Sequence, residues 1–224
     1  MKFFQNGEIP EQPHMYFIYG DGGTGKTTLF KQFKGHKLLL SFDMTTNPLV
    51  GDKDIDVLLF EEKDAPLIQS LVMSQVQGAI KTGKYNAIAL DNMSALQNLV
   101  LDNIDHRAKD NRMNYQNLQI WFRKLAMILR QSGINVYATA HQSDNGNSGL
   151  TGAGRFQADM NEKTFNAFTS VFDVVGRIYK KDKQRWIDLD PEQGNHAKNR
   201  IDDRTLIKAD ELLKENTDTK KEGK

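Results

Sequence analysis

The 224-residue sequence contains no cysteine, which excludes disulfide bridges and thiolate metal sites. It also lacks an excess of charge: 30 Lys and Arg against 29 Asp and Glu leave a formal net charge of +1. A chain coated in positive charge is thereby ruled out. Any contact with nucleic acid has to come from local clusters, because counterion release needs Lys and Arg grouped together. No apolar run approaches the roughly 20 residues of a membrane span. The opening MKFFQNGEIPEQ has no apolar stretch of the kind a secretion signal carries. These absences predict a soluble, cytoplasmic protein without a membrane partner. What is there, 38% hydrophobic and 26% charged residues, suits one domain of ordinary size with a well-solvated surface.

Hydrophobic patterning predicts strands and helices in alternation. MYFIYG (15–20), KLLLSFDM (37–44), DIDVLLFEE (54–62), YNAIALDN (85–92) and INVYATAHQ (134–142) are short apolar runs of the buried-strand type. Between them KTTLFKQFKG (26–35), APLIQSLVMSQVQGAIKTG (65–83), SALQNLVLDNI (94–104) and NYQNLQIWFRKLAMILRQSG (114–133) have helical spacing. In the last of these, Leu118, Phe122, Leu125 and Leu129 share a face. Alternation of this kind predicts an α/β fold, a mostly parallel central sheet flanked by helices. Residues 143–163 are rich in Gly, Asn and Ser and read as a mobile loop. VFDVVGRIYKKDKQRWIDLD (171–190) reads as a C-terminal β-hairpin turning near Asp182-Lys183, and AKNRI (197–201) as a final short strand. The folded domain is expected to occupy 1–202. The remaining 203–224 is expected to be a charged tail, helical through TLIKADELLKE and then disordered.

One stretch carries explicit chemistry. GDGGTGKTT, that is Gly20, Asp21, Gly22, Gly23, Thr24, Gly25, Lys26, Thr27 and Thr28, fits G-x-x-x-x-G-K-[ST] between a strand and a helix. Glycines there let backbone N–H groups curl around a phosphate; Lys26 reaches the β- and γ-phosphates, and the Thr27 hydroxyl ligates Mg²⁺. The expected ligands are therefore ATP and Mg²⁺. Asp91 ends the strand YNAIAL, where a second Mg²⁺ ligand belongs. Asp43 ends LLLSF, expected beside the P-loop strand, and can deprotonate the attacking water; Glu61, Glu62 and Asp64 are its rivals. His141 and Gln142 end the strand NVYATA, where a polar side chain can touch the γ-phosphate, Gln142 being the better placed.

The succession GDGGTGKTT, LLLSFDM, YNAIALDNMSAL, VYATAHQ, FDVVGRIY and HAKNR resembles the phage-encoded ATPases with a RecA/RadA core that are linked to single-strand annealing and recombination. The resemblance spans residues 14–202 and implies a RecA-like P-loop NTPase. In such relatives a glutamate commonly ends the second strand; this chain has Asp43, one methylene shorter. The resemblance further implies that Lys198 and Arg200, on the late strand, reach the γ-phosphate held by a neighbouring subunit, with ATP at the joint of a homo-oligomeric ring or filament. It also implies that the loop after the phosphate sensor faces single-stranded DNA. That loop offers Arg155, Phe156 and Lys163, while HRAKDNR (106–112) offers Arg107, Lys109 and Arg112 as a second basic cluster. A single-strand-binding protein is a further expected partner. Two other readings stand beside this one: a small-molecule or nucleotide kinase, and a non-hydrolysing adaptor that uses ATP only to assemble on a replication protein.

Overall fold

The computed structural model describes residues 3–104, 111–146, 155–191 and 195–214. The five apolar runs form β1 (Met15–Tyr19), β2 (Lys37–Ser41), β3 (Ile55–Leu59), β4 (Ala87–Asp91) and β5 (Asn135–Ala140), all parallel. The helices between them are α1 (Lys26–Leu29), α2 (Ile68–Thr82), α3 (Met93–Asp102) and α4 (Asn111–Gln131). A two-stranded antiparallel ribbon, β6 (Gln142–Asp144) with β7 (Phe156–Ala158), leads to α5 (Glu162–Thr169). The chain then re-enters the sheet as β8 (Val174–Lys181), parallel to β1, and turns back as β9 (Gln184–Asp188). Asp182 and Lys183 both have positive φ, as a two-residue hairpin turn requires. The short β10 (Lys198–Asn199) pairs with β8, and β11 (Leu206–Lys208) pairs with β9. The main sheet thus runs β3-β2-β4-β5-β1-β8-β9-β11, with β10 beside β8.

The period of two along each strand divides the core. Phe17, Leu38, Leu40, Ile88, Leu90, Val136 and Ala138 face one side, where they meet α2, α3, α4 and α5. Tyr16, Ile18, Leu39, Ala87, Ala89 and Tyr137 face the other, against Leu29, Phe30, Phe33, Ile207, Ala209 and Leu212. Strands buried on both faces read as continuous apolar runs, which is why these segments lack polar alternation. No helix among the described residues is long and apolar enough to cross a membrane.

Four expectations need correction. First, β2 does not lie beside the P-loop strand: β5 and β4 stand between β1 and β2, so Asp43 neighbours the strand of Asp91. Second, the helix expected over 26–35 stops at Leu29, continuing only as a 3-10 turn over Phe30–Gln32. Phe33 leaves it in extended backbone and packs its ring against Tyr16 and Tyr137. Third, the segment 143–163 is not all loop. Its ends pair as a ribbon, and its last residues open α5, where the Asn161 side chain accepts from the Thr164 N–H. Fourth, the described part of the expected helix, TLIKADELLK (205–214), is a strand followed by a 3-10 turn, so the sheet continues past residue 202. Leu206, Ala209 and Leu213 suit a helix by spacing, but pairing of Leu206–Lys208 satisfies the backbone edge of β9, which a helix there would leave open.

The tail strand yields a direct test. Ile207 is buried, so Ile207→Ala should lower the free energy of unfolding by about 2–4 kcal/mol in a urea titration. An unchanged midpoint would mean that residues 205–214 do not belong to the core.

Candidate functional site

Parallel strands all present their C-terminal ends on one side, and that is where the chemistry-bearing residues gather. Gly20 follows β1, Asp43 follows β2, Asp91 closes β4 and His141 follows β5. Asp43, Asp91 and His141 line a cavity of about 600 Å³ together with Gly22, Gly23, Gly25, Lys26, Thr27, Thr28 and Asn92. Two glycines of the loop have visible reasons. A Cβ on Gly20 would stand 2.3 Å from the Ile178 carbonyl oxygen of β8, and Gly25 has φ +100, which disfavours any side chain.

The Lys26 ammonium is buried and donates to the carbonyls of Gly20 (2.8 Å) and Asp21 (2.9 Å). Burial pulls its pKa down, against the attraction of Asp91, Asp21 and Asp43. A cation so placed gains from an anion in the cavity. Beside it Thr27 Oγ1 donates to Asp91 Oδ2 at 2.6 Å, and Thr139 of β5 donates to Asp91 Oδ1. Burial pushes the Asp91 carboxyl up, and these two hydroxyl donors oppose the shift. The backbone carbonyl of Lys26 accepts from the buried Tyr137 hydroxyl at 2.8 Å, which fixes the start of α1 to β5. A hydroxyl and a carboxylate oxygen in contact at the floor of an anion pocket are the hard ligands that Mg²⁺ takes together with phosphate oxygens, so the residues present fit that ion.

Asn92, which sequence reasoning passed over, organises the rest of the rim. Its Oδ1 accepts from the Ala95 N–H and caps α3, while its Nδ2 donates to Asp43 Oδ2 and meets His141 Nε2 at 3.1 Å. Asp43 Oδ1 in addition accepts from the N–H and hydroxyl of Thr45. The carboxylate is thereby held at the cavity wall as an acceptor. Its rivals are elsewhere. Glu61 and Asp64 cap the 3-10 turn Glu62–Leu67, Glu61 pairs with Lys63, and neither these two nor Glu62 lines the cavity.

The other expected residues divide. His141 lines the cavity, whereas Gln142 does not: its Oε1 accepts from Arg177 Nε at 2.9 Å. Arg177 in turn lies 3.4 Å over the Phe156 ring, so strand β8 is coupled to both strands of the ribbon. Arg155 pairs with Asp144 across that ribbon in an exposed contact, a kind of pair that water and competing anions readily displace. Lys163 and Arg112 are exposed on α5 and α4; Arg107 and Lys109 lie outside the described residues. Lys198 and Arg200 both turn toward the end of α5, donating to the Thr169 (2.8 Å) and Ser170 (3.5 Å) carbonyls. Burial pushes the Lys198 ammonium down to about 8, and Arg200 acts in the same direction. Neither residue is at the cavity of its own chain. A residue with no warning in the sequence is Arg185 of β9, whose Nε donates to the Thr24 carbonyl of the P-loop at 2.9 Å.

An anion cradle around a buried lysine, with paired oxygen ligands for a hard cation at the strand ends, puts the protein in the class of P-loop ATPases. Family comparison narrows this: the model of a family described as an AAA domain matches residues 12–201, and the chain belongs to that family. No curated protein matches the sequence. Among solved structures, a KaiC-like protein of the hyperthermophilic archaeon Pyrococcus horikoshii is similar at 12% identity and a TM-score of 0.48, over 79% of this chain and 78% of that one.

The Thr27–Asp91 contact is testable. Asp91→Asn should leave a folded protein, since an amide can still accept from Thr139, yet weaken Mg²⁺-dependent nucleotide binding by about tenfold or more. Thermal melts with nucleotide, in Mg²⁺ and in chelator, read this directly. Equal stabilisation of variant and wild type by the Mg²⁺ complex would remove Asp91 from the metal site.

Proposed function

We propose that this protein is a RecA-like ATPase that self-associates and acts on single-stranded DNA, in annealing or recombination, with ATP bound at the joint between subunits. The observation that carries the ATPase reading is the buried Lys26 beside the Thr27–Asp91 contact. The DNA reading rests on the sequence resemblance. It is supported by the position of the ribbon β6–β7, which begins immediately after His141.

On this reading the loop N–H groups and Lys26 would hold the triphosphate, and Thr27 and Asp91 would hold Mg²⁺, which would supply neutralisation of charge on the phosphate oxygens. Asp43 orients the attacking water and takes its proton, the amide of Asn92 holding that carboxylate in place. His141, joined to the same amide, stands on the γ-phosphate side of the cavity. Release of phosphate is passed to the DNA-facing ribbon through Gln142, Arg177 and Phe156. A single-strand-binding protein is the partner that such a role calls for.

Geometry restricts where Lys198 and Arg200 can act. The Arg200 N–H bonds to the Asp173 carbonyl, and the Asp173 N–H to that of Met15, at the start of β1. Gly20 lies five residues further along the chain, roughly 16 Å at about 3.3 Å per residue, beyond the reach of an arginine side chain. This separation supports the reading in which the pair reaches the ATP of another subunit.

Two outcomes are expected. Asp43→Asn should retain ATP and Mg²⁺ binding but hydrolyse roughly 10²-fold more slowly, in assays with and without single-stranded DNA; a wild-type rate would place the base elsewhere. Arg200→Ala and Lys26→Ala, each inactive alone, should regain activity when mixed, because a mixed joint pairs an intact P-loop with an intact arginine. A mixture that co-assembles and stays inactive would refute the trans-acting role.

A further inference from the structure

Two hollows meet at Arg185. One is the phosphate cavity; the other, about 520 Å³, opens between α1 and the β8–β9 turn and is lined by Thr28, Leu29, Gln32, Lys183, Arg185 and Asp210. Gly25, Thr28 and Arg185 border both. The tail forms a wall of the second hollow, tied to the turn after α1 by the Gln32 amide, which donates to the Ala209 carbonyl at 3.0 Å. Arg185 crosses the divide. Its Nε is spent on the Thr24 carbonyl, and a Cβ on Gly25 would stand only 3.0 Å from that nitrogen. An arginine fork carries four further N–H donors.

The phosphate cavity is asymmetric. Asp43, Asp91 and His141 line it together with Lys26 and Thr27, where the water and the metal are needed. A triphosphate with its γ-phosphate at that end must extend its nucleoside the other way, past Thr28 and Arg185. The second hollow lies in that direction and has a size suited to a small ligand. It offers an apolar surface in Leu29, a carboxylate acceptor in Asp210 and a cation in Lys183.

We propose that this second hollow binds the nucleoside half of the triphosphate, with Arg185 as the clasp between sugar and phosphates. The proposal rests on the reading of the protein as a nucleoside-triphosphate binder. The guanidinium spans the phosphate-to-ribose joint with charge-assisted hydrogen bonds and covers the face of the base. Asp210 accepts from a donor of the nucleoside, a ribose hydroxyl or an exocyclic amine. The C-terminal tail is then part of the substrate site, and the chain discriminates a nucleotide from a bare polyphosphate by means of it.

Calorimetric titration of the full chain with Mg²⁺–ATP and with Mg²⁺–tripolyphosphate tests this. Wild type should bind ATP more tightly than tripolyphosphate. Asp210→Ala should weaken ATP by about threefold to tenfold and leave tripolyphosphate unchanged, and Arg185→Ala should weaken ATP by about tenfold or more. Both residues are exposed, and melting curves establish that the variants are folded. If both variants keep the wild-type ratio of ATP to tripolyphosphate affinity, the nucleoside does not lie in this hollow. Lys26→Ala separates the two ideas: loss of both ligands upholds the triphosphate reading whatever the tail variants do, whereas retention of both would overturn that reading itself. Titration with 2′-deoxy-ATP, 3′-deoxy-ATP and inosine triphosphate assigns the Asp210 contact: an effect of Asp210→Ala that vanishes for one of them identifies the missing donor, and an undiminished effect on all three excludes the contact.

Discussion

The Asp91 carboxylate is the tie on which the site depends. It is buried at the end of β4, and its two oxygens accept from Thr27 at the start of α1 and from Thr139 of β5. One side chain therefore fixes the P-loop to two strands that are neighbours in the sheet. An ionised carboxylate in that position needs compensation, since burial alone favours the neutral form. The two hydroxyls supply part of it and the nearby Lys26 ammonium another part, although Lys26 is itself disfavoured by burial. Each group is poorly solvated without its neighbours. A Mg²⁺–triphosphate complex brings a cation to the carboxylate and anions to the ammonium, so both deficits are met by the same ligand.

Asn92 extends that tie sideways. A single amide caps α3 with its oxygen and joins Asp43 to His141 with its nitrogen, so the ends of β2, β4 and β5 are linked across the rim. The interposition of β4 and β5 between β1 and β2 makes this necessary. Asp43 is separated from the P-loop strand by two intervening strands and could not be positioned by it. It is positioned from the metal-binding strand, through the residue that follows Asp91.

How much of this was legible in the sequence depended on how local each signal is. The P-loop was legible because its residues are contiguous and its glycines answer to backbone geometry at the place where they stand. The parallel strands were legible because burial on both faces leaves apolar runs, and the hairpin turn at Asp182-Lys183 because two strand patterns flank it. Strand order was not legible, since nothing in LLLSFDM says which strand it will pair with. The tail misled for a related reason: Leu206, Ala209 and Leu213 are apolar at helical spacing, and the deciding partner, the edge of β9, lies outside that local stretch. Arg185 and Asn92 were missed because an arginine in a hairpin and an asparagine at a strand end are common. Their contacts with Thr24 and Asp43 exist only once the sheet has assembled.

The placement of these residues divides the site by chain segment. The strand ends β2, β4 and β5 hold the acidic and imidazole groups, whereas β9 and the tail bring Arg185 and Asp210 from the far side of β1 and β8. A triphosphate lying across the P-loop would thus bridge the two halves of the sheet. The P-loop strand β1 sits at the middle of that bridge, and its last residue, Tyr19, donates to the Phe156 carbonyl of the ribbon. Arg177 packs on the same Phe156 ring from β8 and donates to Gln142, the first residue of the ribbon. The ribbon is therefore anchored by side chains of two adjacent strands, β8 and β1, and follows directly on β5, at the point where the two halves meet. A ligand that changes the spacing of those strand ends would act on the ribbon through the contacts of Tyr19 and Arg177 with Phe156.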